Sequence, residues 1–142
     1  LMPNHFHLLL EEIEEGGVSK FMQKLQTGYT MYFNKRHERS GSLFQGRFKS
    51  KHANTENHAK YLFSYIHLNP IKKHLNNKKD LVEKLKKHTF SSFADYTGEK
   101  REQKNIINTL RFSKLFPKKE SIIAELSAWV TLPEVEPPVN KN

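Results

Sequence analysis

Seven apolar side chains, Val18, Phe21, Met22, Leu25, Tyr29, Tyr32 and Phe33, recur at steps of three and four along one stretch of the chain. That is the period of an α-helix with a single apolar face. The stretch is therefore expected to form an amphipathic helix from Ser19, a candidate N-cap, to about His37. Gly28 is its weak interior point, and Ser40-Gly41 ends it. Such a helix needs a second layer to cover its apolar stripe.

Two segments suggest that layer. Residues 5–10, His-Phe-His-Leu-Leu-Leu, form a short apolar run that reads as a buried strand. Residues 42–53 read as a second strand with a loop-like start. A strand there places Arg47, Lys49 and Lys51 on one face, because alternate side chains share a side. Asn54 or Thr55 can cap a second helix over residues 56–68, and Pro70 limits its continuation. Beyond it lie a lysine-rich stretch with a helix expected at 78–87 and two short helices expected at 103–115 and 119–130. A flexible tail is expected from Pro133.

Composition narrows the function classes. With 142 residues the chain suits one domain, and it is too aromatic, at 11%, to be wholly disordered. It contains no cysteine, which excludes a disulfide scaffold, a thiolate zinc site and a cysteine nucleophile. No apolar run approaches the length of a membrane span. Leu1–Asn4 has no signal-peptide pattern, and a cytoplasmic setting is expected. The formal charge of +9 points to a polyanionic partner or to a merely lysine-rich soluble protein. The surplus is concentrated, since residues 20–51 hold eight Lys or Arg against Glu38 alone.

Three groups of residues could do chemistry. His5 and His7, two apart on a strand, would face the same way and could converge on one divalent ion, or be ordinary surface and core histidines. On the second helix His58, Tyr61, Tyr65 and Asn69 share a stripe beside an apolar row of Leu62 and Ile66, with Phe63 adding to it. A tyrosine there could be a nucleophile if a base or a metal-polarised target assists it, or it could be a structural aromatic. Asn69 offers an amide oxygen one turn on. Arg47, Lys49 and Lys51 suit phosphate oxygens or a solvated strand edge.

Four blocks taken together resemble a known family. Met2–Leu10 resembles the His-hydrophobic-His strand of the HUH single-tyrosine transposases, most closely their REP-associated tyrosine transposase branch. Phe44–Ser50 resembles that family's second block, Tyr65–Pro70 its tyrosine helix, and Ser91–Tyr96 the Ser-Ser...Tyr segment that follows. The resemblance covers residues 2 to about 96, in the family's order.

It implies an α+β fold: a ferredoxin-like or RRM-like antiparallel sheet with packed helices. On that plan His5 and His7 lie on the third strand. The first strand, helix and second strand are then expected to be missing, and the remainder to fold poorly or to need self-association as a homodimer. Residues 1–98 would be the partial catalytic domain, 99–132 a helical extension and 133–142 the tail.

It also implies metal-dependent cleavage and strand transfer of single-stranded or hairpin DNA at the nucleoid. Tyr65 would be the nucleophile, with Tyr61 its competitor. His5, His7 and Asn69 would hold Mg²⁺ or Mn²⁺, although Asn69 stands where related transposases commonly carry Gln. His67 lies on a different helical face from Tyr65. Gln45, Arg47, Lys49, Lys51, Lys72 and Lys73 would contact DNA. The alternatives are a non-catalytic DNA or RNA hairpin-binding module and a decayed fragment without activity.

Overall fold

Helices carry all the regular structure in the computed structural model, which describes residues 1–75 and 78–130. In chain order these are α1 (Gly17–Arg36), α2 (Glu56–Leu68), 3-10 turns at Lys72–His74 and Lys78–Asp80, and α3 (Leu81–Lys87). They are followed by α4 (Phe93–Tyr96), a 3-10 turn at Glu102–Ile106, α5 (Thr109–Phe112) and α6 (Lys119–Val130). Among the described residues there is no strand, so the expected ferredoxin-like antiparallel sheet is not the architecture. Residues 5–10 and 42–53 have strand-like composition but irregular backbone. A strand exists only through a ladder of hydrogen bonds to a neighbour, and apolar alternation does not supply one. Arg47, Lys49 and Lys51 therefore do not share a strand face. The tail expected at 133–142 lies outside the described residues.

The chain divides into two units, residues 9–52 and residues 1–8 with 53 onward. In the first, Gly16 at φ 73 starts α1 in the left-handed conformation that glycine adopts without strain. Ser19 therefore lies inside α1 and is not its cap. Lys35 and Arg36 close the last turn, where cations favour the helix dipole. The loop that follows is tied back to that turn. Asn34 Nδ2 donates to the Gly41 carbonyl at 2.9 Å, and Arg39 donates to Asn34 Oδ1 at 3.0 Å and to the Ser42 carbonyl at 3.2 Å. Of the apolar stripe on α1 only Met22 is buried, while Phe21, Leu25, Tyr29 and Tyr32 are exposed.

The second unit has the larger core. Thr55 caps α2, its hydroxyl accepting from the His58 amide at 3.1 Å. Phe63 and Leu68 are buried on this helix together with Ser64 and His67, while Leu62 and Ile66 are half-buried. The inward face thus lies one residue round from the expected row, and it packs on rings and helices instead of a sheet. Phe63 meets Phe116 at 4.9 Å, Tyr96 at 5.0 Å and Phe112 at 5.5 Å between ring centroids. Leu81 and Leu85 of α3, Phe93 of α4, and Ile122 and Leu126 of α6 complete the core. The C-terminal helices are thus part of the unit that carries α2.

Candidate functional site

The arrangement begins with the helical repeat of α2. Tyr65 and Asn69 are four residues apart, so their side chains rise from the same face. Asn69 is the C-cap of α2, its amide donating to the Tyr65 carbonyl at 2.9 Å. The opposite side of the helix is fixed by His67, which is 3% exposed. His67 Nδ1–H donates to the Phe63 carbonyl at 2.7 Å, and Nε2 accepts from the Ser92 hydroxyl at 3.0 Å. Burial pushes its pKa down to about 4. Both ring nitrogens are occupied, so His67 serves as a strut between α2 and the Ser91-Ser92 segment.

That segment is held in turn by Arg101. Its Nε donates to Asp95 Oδ1 at 2.8 Å, and a terminal nitrogen pairs with Asp95 Oδ2. It also donates to the carbonyls of Ser91 at 2.6 Å and Thr89 at 3.0 Å. Asp95 is almost fully buried, and the bidentate pair keeps its charge compensated.

The N-terminal segment lies against the outward face of α2. Leu1 N donates to the Phe90 carbonyl at 2.7 Å, and His88 Nε2 donates to the Leu1 carbonyl at 3.2 Å. From this anchorage His7 reaches Tyr65, ring edge to ring face, with centroids 5.4 Å apart. His5 and His7 are also edge to face, at 5.0 Å. Asn69 Nδ2 lies 3.2 Å from His7 Nε2. Asn4 Oδ1 accepts from His5 Nδ1 at 2.7 Å.

His5, His7, Tyr65 and Asn69 thus form one cluster, although His5 and His7 are not on a strand. Asn4, His67 and the Asp95–Arg101 pair belong to its support. The sequence reading assigned none of them a role in the cluster, because the Ser92 partner of His67 is 25 residues away and the Asp95–Arg101 and Asn4–His5 contacts follow no helical or strand period.

The hydrogen bonds indicate which nitrogen of each ring donates and which accepts. A proton on His5 Nδ1 leaves the Nε2 lone pair available, and a donor at His7 Nε2 requires a lone pair there. Burial lowers the His7 pKa first, and the nearby His5 lowers it further, so neutral imidazole is favoured. Two imidazoles and the Asn69 amide, whose oxygen faces the ring after a half-turn, are a donor set that fits one divalent cation. Among the described residues no group of three or more His, Cys, Asp or Glu could hold a metal ion.

Tyr61, the competing tyrosine, stands edge to face with Trp129 of α6 at 4.9 Å. Burial, and secondarily Tyr65, raises its pKa. Trp129 is itself fixed by donating to Glu125 Oε1 at 2.9 Å. Gln45, Arg47, Lys49 and Lys51 are exposed in the loop after α1, in the unit of residues 9–52. Lys72 lies half-buried in the turn after α2, and the side chain of Lys73 lies outside the described residues.

The model of one protein family, IS200-like transposases, matches residues 1–69. Over this segment, just under half of its length, the chain is similar to the IS200-like transposases. The matched segment contains His5, His7 and Tyr65 and ends on Asn69. It also contains Gln45, Arg47, Lys49 and Lys51, whereas Lys72, Lys73 and the Ser91–Tyr96 block fall after it. The match supports a role in DNA transposition. Comparison with curated proteins and with solved structures gave no match. No helix among the described residues is long and apolar enough to cross a membrane.

Proposed function

We propose that this protein is a transposase that cleaves and rejoins single-stranded DNA through a covalent bond to Tyr65, at sites beside hairpins, as the HUH single-tyrosine resemblance implies. The observation that supports the reading most is the gathering of His5, Tyr65 and Asn69 around His7. In the proposed step the Tyr65 phenolic oxygen bonds to phosphorus and the bond from phosphorus to the 3′ oxygen breaks. The phenolic proton goes to solvent, and the departing oxygen takes one up as a 3′-hydroxyl. The DNA 5′ end is left on the tyrosine as a phosphodiester, so the reverse attack needs no external energy source.

His5, His7 and Asn69 would hold Mg²⁺ or Mn²⁺. When bound, the cation supplies Lewis-acid polarisation of the scissile phosphate. The nitrogen donors favour Mn²⁺ over Mg²⁺, which prefers an all-oxygen shell. The chain's own contribution is positional. The α2 backbone presents Tyr65 and Asn69 on one face, and His67 fixes the helix from behind. Gln45, Arg47, Lys49, Lys51, Lys72 and Lys73 are proposed to take DNA backbone contacts.

The test is incubation with Mn²⁺ and a labelled single-stranded hairpin DNA, followed by denaturing electrophoresis. A protein-linked band is expected from the wild type and from Tyr61→Phe, and none from Tyr65→Phe. The reverse pattern overturns the assignment of the nucleophile. Salt-sensitive hairpin binding without any adduct would identify a binding module instead.

A further inference from the structure

The unit of residues 9–52 holds an aromatic and cationic surface that the reading above does not use. Tyr29 and Tyr32, on the last turns of α1, are 49% and 58% exposed. Phe33 and Phe44 are half-buried and flank Tyr29 at 6.1 Å and 6.3 Å between centroids, while Tyr32 lies at 6.5 Å. Cations are interleaved with these rings. Arg36 donates to the Tyr32 hydroxyl at 3.3 Å, and the Arg39 guanidinium lies 5.8 Å from the centre of the Phe33 ring. Residues 29–51 carry six Lys or Arg against Glu38 alone. The loop bearing Phe44 is tied to α1 through Asn34 and Arg39, so the rings are held in place before any ligand arrives.

Exposed rings with cations beside them have the chemistry of a single-strand nucleic-acid surface, in which every base offers a face to stack and every phosphate a charge to pair. A second copy of the chain is the poorer occupant, because it would bring an equally cationic surface into contact. We infer that Tyr29 and Tyr32 are a stacking platform for unpaired bases of single-stranded DNA, with Arg36 and Arg39 beside them for the phosphates. The inference rests on the single-stranded DNA reading and names a subsite within it.

Binding is measured by fluorescence anisotropy on the full chain with EDTA present. The probes are a labelled oligothymidylate and an abasic phosphodiester of the same length, which has the charge but no bases. Tyr29→Ala and Tyr32→Ala are each expected to weaken oligothymidylate binding by about 5- to 100-fold. Tyr29→Phe keeps the ring and is expected to bind like the wild type. Abasic binding is expected to be the same for all four proteins.

Equal affinity of the alanine variants and the wild type for oligothymidylate overturns the inference. So does an equal loss on the abasic probe. A wild-type dimer that Tyr29→Ala converts to monomer in sedimentation also overturns it, because the patch is then a contact between copies. Far-UV circular dichroism of each variant establishes that α1 is retained. The adduct assay is read separately on the wild type. Base-dependent binding without adduct keeps the platform and removes the nucleophile, and adduct without base-dependent binding does the reverse.

Discussion

Asn69 Nδ2 and His7 Nε2 are 3.2 Å apart, joining residues separated by 62 positions in the chain. This contact ties the histidine segment to the end of α2 and makes Asn69 the most informative position to vary. In the proposed reaction Asn69→Ala is expected to lower the rate of adduct formation by about 10- to 100-fold, the range typical of groups that orient or complete a metal site. Asn69→Gln keeps the amide and is expected to recover part of that loss. Single-turnover rates over a Mn²⁺ titration would separate weaker metal binding from a slower step. Equal rates for wild type and Asn69→Ala would remove Asn69 from the site.

His67 predicts an acid sensitivity with a definite sign. Its pKa is about 4 in the folded chain against an ordinary value near 6.5, so the unfolded chain binds the proton more readily. The stabilisation is fully present above pH 6.5 and is lost as pH falls through the window from about 6.5 to about 4. A shift of this size corresponds to about 3 kcal/mol at most. The urea midpoint should fall between pH 7 and pH 5, and His67→Gln should flatten that dependence. An unchanged slope in the variant would show that other groups dominate the acid response.

Removing Arg101 strands a buried charge. Arg101→Met leaves the Asp95 carboxylate without its partner and the Ser91 and Thr89 carbonyls without a donor. A cost of about 3–5 kcal/mol is expected. Asp95→Leu with Arg101→Met removes both charges and should restore much of the stability. Chemical denaturation of the two single variants and the double variant measures the coupling.

Phe63 lies at the centre of the ring cluster of the second unit. Phe63→Ala opens a cavity among Tyr96, Phe112 and Phe116 and should cost about 3–5 kcal/mol. Because α2 carries Tyr65, loss of adduct formation should track the unfolded fraction. Loss of adduct at full helix content would instead mark a local change in the site.

The helices were legible because their signals are local. The period from Val18 to Phe33, the Thr55 cap and the 119–130 pattern are each contained in a few turns, and α1, α2 and α6 lie where those signals put them. The two strands failed because pairing is not local. Residues 5–10 and 42–53 satisfy strand composition, and composition does not supply a ladder. That Tyr65 and Asn69 share one face of α2 was legible from their spacing of four, whereas the contact of His7 with both was not, because it joins residues about 60 apart. Nor were the supports. His67 with Ser92 depends on how α2 meets the segment after α3, and Asp95 with Arg101 on how that segment folds back on itself, and no period encodes either.

One backbone carries both the outward stripe of Tyr65 and Asn69 and the inward stripe of Phe63 and His67. Each residue added to a helix advances its register by about 100°. The residues of the two stripes alternate, so an insertion or deletion between Tyr65 and His67 would break both at once, separating Phe63 from His67 and Tyr65 from Asn69. Loop lengths elsewhere in the chain can drift, but the distance along α2 from ring cluster to site is fixed.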